Sequence, residues 1–464
     1  MKIEIKNDEI LNKIASAFSE EIYLVGGAVR DFLNNEIPTD RDLVVLNTDV
    51  REFAKKLCEF FDGTFIELDE ENEIYRVVLQ DKKNYLDITK PVGGTLENDL
   101  KSRDLTINSL AVNLKTSELI DVTGGLDDFK KGILRVFKEK SITDDPLRIL
   151  RFYRFMAIYG FEIEPLTVQY AKKYKDLLNL PATERKMYEL MRLFEGKYSD
   201  VALLKMDEIR ILEQLFPFVA EYKKVPPNTH HHLDLFHHCI ETVKQIQIIY
   251  ENSSEEVKNH FGEKDFGQTN RLSHLKFAGF LHDIGKFSTW TIDDDGRHRF
   301  IKHDDVGSKF AGEFLKRNKF SKKQIGYLTK MIKYHIYPSS VMSAPEINDK
   351  VMMRFVRKME NDAVDIITLA KADRLSARGE VISDSMVENN ISSLDKLQNF
   401  YLEKKDTLKP LEKLLSGDEI MKILNIKPSS QLGEIVSALH EAQISGDVTN
   451  KEEAVAFIKS FSKA

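Results

Sequence analysis

Only two cysteines, Cys58 and Cys239, occur in the 464 residues. Cysteines this few and this far apart do not form a disulfide framework, and both read as buried thiols. Long hydrophobic runs are also missing. No stretch approaches the roughly 20 apolar residues that a membrane-spanning helix needs. The first ten residues alternate charged and apolar side chains and lack the pattern of a secretory signal, so the expected location is the cytoplasm. A basic excess is absent too: the formal net charge is −7 and the sequence pI about 6.0. Proteins that coat nucleic acid without specificity are usually basic, so any nucleic-acid contact here must use a local patch. Residues 130–197 form one, with 15 Lys and Arg against 9 Asp and Glu. The chain contains neither an internal repeat nor a low-complexity tract.

What is present is an ordinary globular composition, 42% hydrophobic and 31% charged, long enough for about three domains. Four regions differ in pattern. Residues 1–125 mix helices with short β-rich runs at 22–25, 42–46, 74–79 and 85–88. Residues 126–225 carry apolar side chains three or four apart, as a helical neck should. A turn-like Val225-Pro226-Pro227-Asn228-Thr229 opens a histidine-rich helical body over 226–393. A polar connection near 394–408 leads into a helical tail, the whole of 394–464 forming the last region. The expected fold is therefore an α/β head, a small mixed sheet with helices, followed by an all-α neck, body and tail.

The head holds the first candidate site. Tyr23-Leu24-Val25-Gly26-Gly27-Ala28-Val29-Arg30-Asp31 reads as strand, diglycine turn and helix. Glycines there let backbone N–H groups approach an anion, and Arg30, one turn into the helix, can pair with a phosphate. Asp40 and Asp42 stand two apart at the start of a strand, so their side chains share a face. Paired hard oxygen ligands suit Mg2+. Asp87, flanked by Leu86 and Ile88, is the expected third carboxylate, as a base or a metal ligand.

In order along the chain, Gly26-Gly27-x-x-Arg30-Asp31 and Asp40-x-Asp42 resemble the nucleotidyltransferase head of the bacterial tRNA CCA-adding enzymes and poly(A) polymerases. The resemblance continues through Arg103-Asp104-Leu105-Thr106-Ile107-Asn108, similar to a family segment that contacts the ribose and phosphates of the incoming nucleotide. Ser102 stands where that motif has its first arginine. The segment from Asp121 to Asp128 resembles the hinge between head and neck. Thr143 to Arg154 reads as one helix start, with Asp145 and Arg148 sharing a face three residues apart. An Asp accepts from an exocyclic amine and an Arg donates to a ring nitrogen or carbonyl, which together can replace a template at a base edge. The resemblance assigns Asp145 and Arg148 to selecting CTP and ATP, with Arg151 and Arg154 in support. Glu184-Arg185 resembles a neck motif that buttresses this helix.

The body holds the second candidate site. His238, His282-Asp283, His303, His335 and Asp373 are spread over an apolar helical pattern, and a charged pair buried there needs a partner such as a metal. This set is similar to the HD phosphohydrolase superfamily. His238, His282, Asp283 and Asp373 match its core ligands, and His303 and His335 match the additions of its two-metal forms. His230, His231 and His232 are left as surface or substrate-edge residues.

Taken together, the resemblance implies template-independent addition of C, C and A from CTP and ATP to tRNA 3′ ends. Mg2+ would serve in the head and a divalent metal in the body, which could carry phosphatase or 2′,3′-cyclic phosphodiesterase activity. No membrane or obligate protein partner is expected. Only 15 residues separate Asp87 from Arg103, a short stretch for the family's flexible loop. Addition of CC alone or A alone is therefore an open alternative. A poly(A) polymerase usually has a basic tail, which is not found here. A different class of alternative is an HD phosphohydrolase whose head only binds nucleotide.

Overall fold

The computed structural model describes residues 2, 3, 5, 8–405 and 413–461. Its contacts divide the chain into two compact units, residues 1–211 and 212–464.

The first unit opens with a seven-stranded sheet in the order β3-β4-β5-β2-β1-β6-β7. The strands are β1 (Glu21–Val25), β2 (Asp40–Leu46), β3 (Thr64–Asp69), β4 (Ile74–Val78), β5 (Tyr85–Thr89), β6 (Leu110–Asn113) and β7 (Leu119–Asp121). The four expected strands are all present, and three more join them. β3 escapes notice in the sequence because, as an edge strand, it is largely exposed and reads polar. The pair β2–β5 is parallel, and the other neighbours are antiparallel.

Alternation along the strands sends two different sets of side chains to the two faces. One face carries Ile22, Leu24, Leu43, Val45, Val77, Leu86 and Ile88. Three helices supply partners for it: α1 (Glu9–Ala17), α2 (Gly27–Leu33) and α3 (Val50–Phe60). In α3, Val50, Phe53, Ala54 and Leu57 form the apolar stripe, and Asp49 caps the first turn. The opposite face packs Tyr23, Val25 and Val44 on Leu100 of α4 (Leu96–Ser102), leaving the far end of β2 and β5 for polar side chains. Arg41, between the two predicted metal-binding aspartates, points away from them and forms a buried pair with Asp8 at 2.7 Å.

The neck continues through α5 (Gly125–Lys131), α6 (Lys140–Asp144), α7 (Arg148–Tyr159), α8 (Pro165–Tyr174) and α9 (Thr183–Glu195). Here one expectation is corrected. Residues 143–154 are not one helix start: α6 ends at Asp144, Asp145 is extended (φ −142°, ψ 96°), and α7 begins only at Arg148. Pro146 explains the break, since proline disfavours helical backbone in the residue before it.

In the second unit, Arg271–Leu281 is buried on every side, and Ala363–Ser376 nearly so. Helices buried all round belong in the centre of a body. Around them lie Leu235–Glu251, His303–Arg317, Lys322–Tyr334 and Asp384–Lys404. Residues 212–225 pack here as well, with Phe216 and Phe218 against Phe280 and Phe314. The polar connection expected near 394–408 is corrected up to residue 404, where the 21-residue helix Asp384–Lys404 ends. Leu394, Leu397, Phe400 and Tyr401 bury one stripe of it among the lysines. Residues 406–408 of that stretch lie outside the described part. The tail helices Gly417–Leu424, Ser430–Ser445 and Lys451–Phe461 share a small core of Ile420, Ile435, Leu439, Ala454 and Ile458. Among the described residues, no helix is long and apolar enough to cross a membrane.

Candidate active sites

The carboxylates of Asp40, Asp42 and Asp87 each offer an oxygen within 4.8 Å of the others. Strand register explains why. Asp42 pairs with Asp87 across the parallel β2–β5 ladder, and Asp40 pairs with Tyr85. Like charges placed opposite one another in a sheet repel. Burial first, then the charge of Asp40, pushes the Asp42 carboxyl up to about 7, with Arg103 opposing and Asp87 adding to the rise. Three acidic groups converging at this price in repulsion make a site that fits a divalent cation.

The diglycine turn abuts them. Gly26 has φ +69°, and a side chain there would meet Arg103 Nη1 at 2.9 Å and Asp42 Oδ2 at 3.0 Å. Glycine is thus required twice, by the backbone and by the crowding. The remaining guanidinium nitrogens of Arg103 donate to Asp99 at 3.0 and 2.9 Å. Arg30 lies in a buried network, donating from Nε to the Tyr159 hydroxyl at 2.8 Å and from Nη1 to Asn108, with Phe155 under its plane at 4.7 Å. Here its contacts run to Asn108 of the head and to the neck helix rather than outward.

Asp104 is buried and accepts from Leu105 N, from Asn108 Nδ2 at 2.9 Å and from Arg151 Nε at 2.7 Å. Burial works against its charge, but Arg151 and these donors outweigh it and hold the carboxyl below the usual range. Arg154 pairs with the buried Glu189 at 2.9 Å. Arg148 donates to Ser141 and to the Arg103 carbonyl. Asp145 sits beside Arg185 at 3.4 Å. The neck therefore joins the head through Arg30, Arg148 and Arg151, while Asp145 keeps an exposed edge. Sequence reasoning did not find Arg76, Asp99 or Glu189. Arg76 and Glu189 were invisible because their partners are set by strand register and by packing between helices, whereas Asp99 meets Arg103 at a local spacing of four residues that could have been read.

The predicted histidine set converges in the second unit. Asp283, 1% exposed, lies between two histidine pairs. Its Oδ2 is 3.3 Å from His238 Nε2 and 3.2 Å from His282 Nε2, and its Oδ1 is 3.3 Å from His303 Nε2 and 3.6 Å from His335 Nε2. Asp373 Oδ1 closes the first group, 3.2 Å from His238 and 3.5 Å from His282.

The outer ring nitrogens explain the aim. Nδ1 of His282, His303 and His335 bonds the carbonyls of Gly279, Phe300 and Ile332 at 2.8, 2.8 and 2.7 Å. That contact orients each ring and turns its Nε2 inward. His282 and His335 are also C-cap residues, where the negative end of a helix dipole favours a cation. Asp283 Oδ1 has no hydrogen-bond partner although it is buried. Inward ring nitrogens and a bridging buried carboxylate fit two metal ions.

His231, left at the edge by the sequence, belongs to the cluster: its ring reaches a common set with His238, Asp283 and Asp373, and its Nε2 lies 3.4 Å from Lys286. His230 lines the cavity beyond, and His232 is exposed. That cavity, about 750 Å³, opens on the cluster and is lined by Lys286, His298, Arg374 and the apolar Phe300, Ile336 and Met386.

Known proteins match both regions. The poly A polymerase head domain matches residues 22–135, the probable RNA and SrmB-binding site of polymerase A matches 160–223, and the HD domain matches 235–378. The A-adding tRNA nucleotidyltransferase of Deinococcus radiodurans is 30% identical over 95% of both chains. The CC-adding enzyme of Thermus thermophilus is 29% identical over 95% of this chain and 93% of its own. The Thermotoga maritima CCA-adding enzyme, solved with tRNA-CCA, superposes with a TM-score of 0.53 at 22% identity, covering 98% of this chain and 94% of the other. The chain belongs to the tRNA nucleotidyltransferase family, with a poly(A)-polymerase-type head and an HD domain.

Proposed function

We propose that this enzyme adds C, C and A to tRNA 3′ ends from CTP and ATP at the Asp40–Asp42–Asp87 site. The observation that carries the reading is the placement of three carboxylates on one end of the sheet, against the Gly26 turn and Arg103. Divalent ions held there, Mg2+ in this reading, would stabilise charge on the attacking and leaving oxygens of phosphoryl transfer. Gly26 and Gly27 let the triphosphate approach the backbone, and Arg103 Nη1, beside that turn, donates to it. Asp104 and Asn108 hold that segment through Arg151 and Arg30. Asp145 and Arg148 offer an acceptor and a donor to the base edge. We assign residues 1–125 to the head and, of the expected neck over 126–225, residues 126–211 to the neck, whose basic excess meets the tRNA, since 212–225 pack with the second unit.

The test is incubation of tRNAs ending in the discriminator base, in C and in CC with Mg2+ and each NTP. Full CCA addition supports the proposal, and no addition at all refutes it. A second reading, addition of A alone or CC alone, is favoured by one observation. Between Asp87 and Arg103 the chain is tied down, since Asp99 accepts from Val92 N at 3.1 Å and from Arg103. A loop pinned this way is poorly suited to switch between bases, and extension stopping after CC, or starting only from CC, would establish this reading.

For the body we propose metal-dependent phosphomonoester or cyclic-phosphodiester hydrolysis, with the histidine–aspartate cluster holding the ions and Lys286 and Arg374 facing the phosphate. Metals there would generate a hydroxide nucleophile near neutral pH. Asp40→Ala should abolish nucleotide addition and leave phosphate release intact. If both vanish together in a folded protein, the two-site reading fails.

A further inference from the structure

Asp87 has a second neighbour in the row that contains Asp42. Across the antiparallel β4–β5 ladder its register partner is Arg76. The guanidinium meets the carboxylate as a fork, with Nε and Nη2 donating to Oδ1 and Oδ2, both at 2.7 Å. Arg76 is itself fixed, its plane lying 4.0 Å over the Tyr85 ring. Tyr85 in turn stands opposite Asp40, its register partner on the other side. One Arg–Tyr pair therefore holds one of the three carboxylates and stands beside a second.

A surface ion pair would be a sufficient account of an exposed Arg and Asp. Here the two side chains are 29% and 17% exposed, the geometry is bidentate, and the partner belongs to the candidate metal set. A carboxylate gripped through both oxygens cannot rotate. It presents its remaining lone pairs in a single orientation, toward Asp42.

We infer that Arg76 is a positioning residue of the nucleotidyl-transfer site: its fork fixes the Asp87 carboxylate as an oriented cation ligand. This rests on the assignment of Asp87 to that site. Charge and geometry then predict opposite signs. If Arg76 acted only through its charge, removing it would strengthen cation binding, because a positive neighbour repels Mg2+ or Mn2+. If it acts through the fork, removing it weakens binding, since the ligand is free to turn. Lysine keeps the charge and cannot fork.

The experiment measures Mn2+ binding to the full-length protein by electron paramagnetic resonance without nucleotide or tRNA. Head-site binding is the fraction lost in Asp42→Ala. Arg76→Lys and Arg76→Gln should both weaken it about 10–100-fold, the range typical of lost ligand-orienting contacts. Both should lower kcat for CTP or ATP addition by a similar factor, with KM for the nucleotide within about threefold. Tighter Mn2+ binding in Arg76→Gln, or an Arg76→Lys protein that binds Mn2+ and turns over like wild type, would overturn the inference. Absence of addition by the wild-type enzyme would instead strike the underlying assignment, while the Mn2+ comparison would still decide on the fork.

Discussion

Asp42 and Asp87 face each other directly across two parallel strands. Holding both ionised opposes folding, so activity and stability should separate at this position. Asp42→Asn removes a charge that burial and Asp40 disfavour. Nucleotide addition should fall at least about a thousandfold, as for removal of a group that acts directly on the reacting centre. At pH 8 and without metal, Tm should rise by roughly 2–5 °C, on the scale of about 2–4 °C per kcal/mol. Calorimetry with EDTA checks this, and a fall in Tm would show that Asp42 is held by unseen favourable contacts.

The same carboxyl gives a pH dependence whose sign can be worked out. Its value in the folded protein, about 7, lies above the ordinary 3.8. The folded state therefore binds a proton more tightly than the unfolded chain, and the metal-free protein gains stability as pH falls from about 7 toward 4. A cation must displace that proton. Mg2+ affinity at the head should drop up to tenfold per pH unit below 7 and level off above 8. Titration calorimetry in buffers of different ionisation enthalpy would detect close to one proton released per site at pH 6 and almost none at pH 8.5. A flat affinity between these values would remove Asp42 from the ligand set.

How far the sequence could be read depended on the range of each interaction. The aspartates at positions 40 and 42 were legible because strand alternation is local. The clustered histidines were legible as an ordered set, though not the way the Nδ1 atoms of His282, His303 and His335 anchor on Gly279, Phe300 and Ile332. Arg76 was not legible, since nothing near it in sequence is acidic in a telling way and its partner lies eleven residues on, chosen by register. Asp145 illustrates an error of a different kind. Helical spacing suggested a shared face with Arg148, but Pro146 in the same motif carried the signal for a break.

In the body, Asp283 bridges the two histidine groups, whereas His303 serves one. Metal content should follow that geometry. Asp283→Ala should reduce bound transition metal to near zero, while His303→Ala should lose about half of the wild-type content, measured by mass spectrometry after exchange into metal-free buffer. Phosphate release should vanish in the first variant. Equal losses in both would mean that the cluster holds a single ion, with His303 among its ligands.

Base choice provides the last test. Asp145 is outside the helix, partly exposed, and steadied by Arg185 at 3.4 Å and by its bond to Leu147 N. A carboxylate only accepts hydrogen bonds, which suits the amino groups that C and A share and rejects the carbonyls of U and G. Asn keeps one acceptor and adds a donor that can reach a carbonyl. Asp145→Asn should therefore lower kcat/KM for CTP or ATP by about 10–100-fold and narrow the preference over UTP by at least as much, given the roughly 1–3 kcal/mol that such a contact provides. Arg185→Ala should loosen the same preference less, because it steadies the reader without replacing it. Competition assays with paired nucleotides measure both ratios. If Asp145→Asn slows all four nucleotides equally, position 145 shapes the neck without reading the base, and selection must lie with Arg148.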